Sequence, residues 1–143
     1  MDTNRPTSPP TEAPSVAAKG PRILLVEDNP INQKVALRFL AKEGFVADVA
    51  NNGQEALDLF ASEAYDIVLM DIQMPVMDGV TATEHLRRIY GQEKPYIIAV
   101  TANATPNDRQ RCMDVGMNDF VTKPIDAVKL IGAISKSGVS QHT

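Results

Sequence analysis

Between residues 21 and 137, short runs of apolar, largely β-branched residues alternate with longer stretches in which apolar residues return every three or four positions. The short runs are Ile23–Val26, Val46–Val49, Ile67–Met70, Ile97–Val100 and Phe120–Thr122. Continuous apolar runs of this length suit strands covered on both faces, as in a parallel sheet. The stretches between them carry helical spacing. Ile31, Val35, Ala36, Phe39 and Leu40 fall on one stripe of the first, and Ala56, Leu57, Phe60 and Ala64 on one of the second. Thr83, Leu86 and Tyr90 mark the third, Pro106 to Gly116 is the fourth, and Val128, Ile131 and Ile134 share a face of the fifth. The first helix is also punctuated, with Asn29 as N-cap, Pro30 at the first helical position and Gly44 as the stop.

Five strands alternating with five helices predict a doubly wound α/β domain. Right-handed crossovers leave few topologies, and for five strands the flavodoxin-like (βα)5 order 2-1-3-4-5 is the usual one. Such sheets bind ligands at the carboxyl ends of their strands, beside the point where strand order reverses. The first run ends in Glu27-Asp28, the third in Asp71, the fourth in Thr101 and the fifth in Lys123-Pro124. In the expected order the first and third strands are neighbours, so Glu27, Asp28 and Asp71 converge on one crevice. Three carboxylates that close repel one another, and a hard divalent cation relieves the conflict. Thr101 and Lys123 add a hydroxyl and an ammonium, both suited to phosphoryl oxygens. A carboxylate nucleophile, a metal and a cation together outline a phosphoryl-transfer site. Each residue also has a plain reading, since Asp often ends a strand and Lys-Pro is a common turn; their coincidence on adjacent strand ends favours the functional one.

Composition narrows the classes. A net charge of −4 argues against nucleic acid or an anionic membrane surface as the main partner. One cysteine, Cys112, excludes an internal disulfide framework and fits a reducing compartment; it reads as structural. No apolar run has the length of a membrane span and no signal-peptide core is evident, so the chain is expected to be soluble and cytoplasmic, or a soluble piece of a membrane protein. Residues 1–20, with Pro6, Pro9, Pro10 and Pro14 among Ser, Thr and Ala, read as a flexible tail or interdomain linker, and residues 138–143 as a short flexible tail. His85 and His142 have no metal-ligand company and read as surface residues.

The segments ILLVEDNPINQ (23–33), DIVLMDIQMPVMDG (66–79), IIAVTANA (97–104) and DFVTKPI (119–125) resemble the receiver domains of two-component response regulators. The resemblance covers residues 21 to about 137. It implies that Asp71 is the phosphoacceptor and that Glu27, Asp28, Asp71 and the backbone carbonyl of Gln73 hold Mg²⁺. Glu27 stands where some relatives carry aspartate and is expected to act through a metal-bound water. Lys123 would pair with the phosphoryl group, Thr101 would move to hydrogen-bond it, and Phe120 would be the aromatic switch that packs inward in response. Gln73 and Asn103 flank the site and are expected to tune hydrolysis. The Lys123–Pro124 bond is expected to be cis, and the fourth helix, fifth strand and fifth helix to form the surface whose shape changes. Asp71 is expected to be exposed yet rigidly held. Gly79 would permit an unusual backbone angle, Pro75 would stiffen the loop, and Met74 and Met77 would close its underside.

The implied partner is a histidine kinase dimerisation domain or a histidine phosphotransfer protein, with no nucleic acid and no direct membrane contact, the domain itself being a monomer or weak dimer. Such a domain catalyses its own phosphorylation and dephosphorylation without being a classical turnover enzyme. VEDNPINQ and DIQMPVMDG resemble hybrid-kinase receivers most, and the Pro-rich leader fits a linker to a kinase. No effector domain is expected after the fifth helix. The alternative is a stand-alone single-domain regulator. A phosphatase with an aspartyl-phosphate intermediate is disfavoured because Gln73 stands where such enzymes usually carry a second, proton-donating Asp. A flavin- or nucleotide-binding module is weaker still, because EDNP places negative charge where a phosphate loop would sit.

Overall fold

The computed structural model describes residues 21–74, 77–92, 94–102 and 105–138. The expected linker at 1–20, the tail beyond Gly138, Pro75 and Asn103 lie outside the described residues. Among the described residues ten elements alternate: β1 (Ile23–Val26), α1 (Pro30–Lys42), β2 (Ala47–Ala50), α2 (Gly53–Ser62), β3 (Ile67–Asp71), α3 (Gly79–Tyr90), β4 (Tyr96–Thr101), α4 (Pro106–Asp114), β5 (Asp119–Thr122) and α5 (Ala127–Lys136). All strand pairs are parallel, in the order β2-β1-β3-β4-β5. This is the expected flavodoxin-like order.

Alternation along the strands divides the core into two layers. Leu24, Val26, Val68, Met70, Ile97 and Ala99 face α2, α3 and α4, where they meet Ala56, Phe60, Ala82, Leu86 and Cys112. Ile23, Leu25, Ile67, Leu69, Ile98 and Val100 face α1 and α5, where they meet Ala36, Leu40, Leu130 and Ile134. The central strands are covered on both sides, which is why their sequences are uninterrupted apolar runs. Each helix begins on a side-chain cap: Asn29, Asn52, Asp78, Thr105 and Asp126 each accept from a backbone N–H in the first turn. Gly44, with φ 83°, ends α1 as its position suggested.

Several outward positions differ from expectation. β2 is an edge strand running Ala47–Ala50, only half covered, and Val46 lies outside it at 62% exposure. Only Ala36 and Leu40 of the first stripe are fully buried, whereas Ile31 and Val35 are exposed. Val128 is exposed on α5, Tyr90 at the end of α3, and Ala64 lies beyond the end of α2. For Ile31, Val35, Tyr90 and Val128 the apolar stripe is wider than the strip of core its helix covers.

Candidate functional site

The carboxyl ends of β1, β3, β4 and β5 assemble the site. Parallel register aligns Val26 with Met70 and Asp71 with Val100, so the residues just after β1 lie beside the end of β3. Glu27, Asp28 and Asp71 each offer a carboxylate oxygen, and the three lie within 4.8 Å of one another. Glu27 and Asp71 are buried and Asp28 is exposed. From β5, the Lys123 ammonium reaches in, 3.0 Å from Asp71 Oδ2 and 3.4 Å from Glu27 Oε1. The Lys123–Pro124 bond is cis, as expected. Thr101 ends β4 fully buried, and its carbonyl accepts the Lys123 backbone N–H at 2.8 Å.

The remaining contacts orient these groups. Asp71 Oδ1 accepts the Gln73 backbone N–H at 2.9 Å, which leaves Oδ2 for Lys123. Glu27 Oε2 accepts the Asn29 N–H at 3.1 Å, and its carbonyl accepts Gln33 Nε2 at 2.6 Å. Burial, together with the charge of Asp71, pushes the Glu27 carboxyl above its ordinary value; the Asn29 N–H and Lys123 oppose the shift without cancelling it. Burial alone would lower Lys123, but its hydrogen bond to Asp71 and the charges of Asp71 and Glu27 outweigh that, and its value is raised.

Two expectations are corrected. Asp71 is not exposed: at 1% exposure it lies under Lys123 and the loop that follows β3. Gly79 does not have the left-handed backbone that an unusual angle would require; it is glycine because a Cβ there would overlap the Asp71 carbonyl oxygen and lie 2.8 Å from Ile72 Cα. Met74 and Met77 are half-buried against the α2–α3–α4 layer. Phe120 is half-buried on the same side, with the Arg109 guanidinium 4.8 Å from its ring centroid. Gln73 is exposed. Cys112 is buried, and burial pushes its thiol up, in keeping with a structural role. Gln33, Asn51 and Glu55 were not anticipated; Gln33 lies within the quoted DNPINQ segment, but one of its two amide partners, Asn51, belongs to a different strand end.

The donor set fits Mg²⁺. Three carboxylate oxygens within 4.8 Å of one another are the hard donors this ion takes, one or two of them binding directly and the rest through water.

The sequence profile described as "Response regulator receiver domain" matches residues 23–135. The chain belongs to the receiver-domain family of response regulators. It is 46% identical over 127 residues to a Candida albicans protein named histidine protein kinase 1, a match covering 82% of this chain and 5% of the kinase. It therefore spans a small part of the hybrid kinases it matches, between 5% and 10% of their length. Among solved structures, the Pseudomonas aeruginosa sensor histidine kinase PA1611 receiver domain, described with a magnesium ion in its active-site cleft, is 38% identical, with TM-score 0.76 over 83% of this chain and 98% of that one. The receiver domain of Saccharomyces cerevisiae Ssk1, solved with the histidine phosphotransfer protein Ypd1, is 32% identical, with TM-score 0.77 over 83% and 90% of the two chains. The receiver is thus a module of two-component phosphorelays. Among its described residues no helix is long and apolar enough to cross a membrane.

Proposed function

We propose that this receiver accepts a phosphoryl group on Asp71 from a phosphohistidine of a kinase or histidine phosphotransfer protein, with Mg²⁺ held by Glu27, Asp28, Asp71 and the Gln73 carbonyl. The observation that carries the reading is the placement of one ammonium between two buried carboxylates, beside a third that is exposed. An Asp71 carboxylate oxygen attacks phosphorus in line, a P–O bond forms, and the P–N bond breaks with its electron pair returning to the imidazole. Lys123 turns from the carboxylate to the incoming phosphoryl oxygens and stabilises their charge. Mg²⁺ when bound neutralises charge on the same oxygens. Lys123 now donates to Asp71 Oδ2 at 3.0 Å, so transfer through that oxygen requires the contact to yield.

The acyl phosphate then biases a two-state equilibrium. Thr101 donates to a phosphoryl oxygen in one state only, and Phe120, stacked under Arg109 in this structure, follows it inward. Water attack at phosphorus later regenerates the carboxylate and releases inorganic phosphate, at a rate tuned by Gln73 and Asn103. The parent protein is a cytoplasmic hybrid histidine kinase or the cytoplasmic part of a membrane-bound one, and the receiver alone is a monomer or weak dimer.

Intact mass after incubation with Mg²⁺ and a small acyl-phosphate donor, and separately with a phosphorylated histidine phosphotransfer protein, tests the chemistry. One phosphoryl group gained by the wild type, dependent on Mg²⁺ and absent in Asp71→Asn, is the expected result. No gain from either donor would overturn the proposal.

A further inference from the structure

The β1–α1 turn carries two of the three carboxylates, and something must hold it against their mutual repulsion. Part of the answer is local: Asn29 caps α1, and Glu27 N–H continues the sheet by donating to Ala50 O at 3.0 Å. The rest comes from the next strand end. Gln33 Nε2 donates to Glu27 O at 2.6 Å and to Asn51 Oδ1 at 2.9 Å. Asn51 in turn donates from both its backbone N–H and Nδ2 to Glu55 Oε1, each at 2.9 Å.

The chain of bonds has a fixed direction. An ionised Glu55 only accepts, so the Asn51 amide must point its nitrogen toward it and its oxygen toward Gln33. The Gln33 amide must then present its nitrogen to both Asn51 and Glu27, which settles an orientation that either amide alone would leave free. Local helix capping does not account for this. The α2 cap is Asn52, whose Oδ1 takes the Glu55 N–H, while the Glu55 side chain bypasses Asn52 and bonds the residue before it.

We propose that Gln33, Asn51 and Glu55 form a hydrogen-bonded relay that fixes the β1–α1 turn in the geometry that receives the divalent cation, acting as positioning residues for Glu27 and Asp28. The inference rests on the reading of the acidic crevice as a Mg²⁺ site. Outer-shell partners of metal ligands typically change affinity by about 10–100-fold when removed, and the lower figure suits a relay that acts through a backbone carbonyl.

The test is a Mg²⁺ titration of the purified chain, followed through the backbone amide resonances of Asp28 and Asn29, beside thermal denaturation in chelator. Gln33→Ala and Glu55→Ala should each weaken Mg²⁺ binding by about tenfold. Their combination should be no worse than Gln33→Ala alone, because both break one chain of bonds. Glu55→Gln keeps an accepting oxygen and should restore affinity to within about twofold. Arg38→Gly, on the exposed face of α1, lowers stability without touching the relay and should leave affinity unchanged. If Gln33→Ala and Glu55→Ala lose stability yet bind Mg²⁺ like the wild type, the residues are only structural and the proposal is overturned. If the wild type itself fails to bind Mg²⁺, the site reading falls and the relay with it, an outcome distinct from the first.

Discussion

Replacing Lys123 by Met removes the ammonium and keeps a stem of similar length, leaving Glu27 and Asp71 buried together with no cation. At 3.0 and 3.4 Å and an effective dielectric of about 20, the two contacts correspond to roughly 5.5 and 4.9 kcal/mol of attraction before desolvation. Neither figure is a stability, because all three charges have been drawn out of water. Breaking a buried pair from one side costs about 3–5 kcal/mol, and the 22% exposure of the Lys123 side chain puts the expected loss at the low end, about 3 kcal/mol. For a chain of this size that lowers the thermal midpoint by roughly 10 °C. Mg²⁺ supplies the missing positive charge, so the rise it produces should be larger in Lys123→Met than in the wild type. The pH dependence has a definite sign. Glu27 is raised first by burial and then by Asp71, and losing Lys123 raises it further. The deficit therefore shrinks as pH falls through that raised value, where a protonated Glu27 no longer opposes Asp71. Lys123 is itself raised in the fold, so its contribution is complete below the ordinary lysine value and fades only as pH rises through the folded one; the wild-type advantage spans the neutral range. Circular-dichroism melts in chelator and in saturating Mg²⁺, at about pH 5 and about pH 8, measure all of this. Equal midpoints in chelator, or equal gains from Mg²⁺, would refute the account of Lys123 as counter-ion to both carboxylates.

Asp28→Asn removes an exposed carboxylate and should weaken Mg²⁺ binding by about tenfold or more while moving stability in chelator by no more than about 0.5 kcal/mol; titration and melts read the two separately. Gly79→Ala forces a Cβ into the Asp71 carbonyl and Met70, so denaturant unfolding should show a loss of about 1–3 kcal/mol, and an unchanged midpoint would mean the loop yields freely. Arg87 is 4% exposed, lowered by burial, and donates Nε to Gly116 O at 2.9 Å and Nη2 to Asn118 Oδ1 at 2.8 Å. Arg87→Ala leaves those acceptors unpaired and should cost about 2–4 kcal/mol in urea unfolding; a loss under about 1 kcal/mol would show that the guanidinium does not hold the α4–β5 turn.

What was legible follows from which interactions are local or periodic. Runs such as Ile67–Met70 announce a central strand because both faces must be apolar, and the chemistry-bearing residues sit immediately after such runs. The order that brings Glu27 beside Asp71 is the usual one for five strands, the crossover rule only narrowing the choices, and the sheet has that order. Val46 and Ile31 misled because apolarity alone does not say where the sheet ends; β2 is an edge, and α1 overhangs it. Asp71 was misjudged for a related reason: its exposure depends on Lys123, which arrives from 52 residues away. Gly79 was rightly singled out but for the wrong cause, since close approach to Asp71 is a tertiary fact and leaves no local mark. Gln33, Asn51 and Glu55 lie on separate elements, and polar residues at helix starts look like caps until their partners are seen.

The charge balance of the crevice ties fold to chemistry. Three carboxylates and one ammonium leave two net negative charges in a largely buried place. A divalent cation would bring that to neutrality, and the proposed conversion of Asp71 to its acyl phosphate would add one negative charge back. Without the cation the phosphorylated site would carry three, at low exposure, which few protein pockets sustain. Under the proposed function, dependence on Mg²⁺ is therefore a consequence of the donor set. It is also a demand on the sheet, because the four charges come from three strand ends and a slip of one residue in any register would turn the neighbouring side chains to the opposite face. The two-sided core that fixes this register thus has a functional share beyond stability.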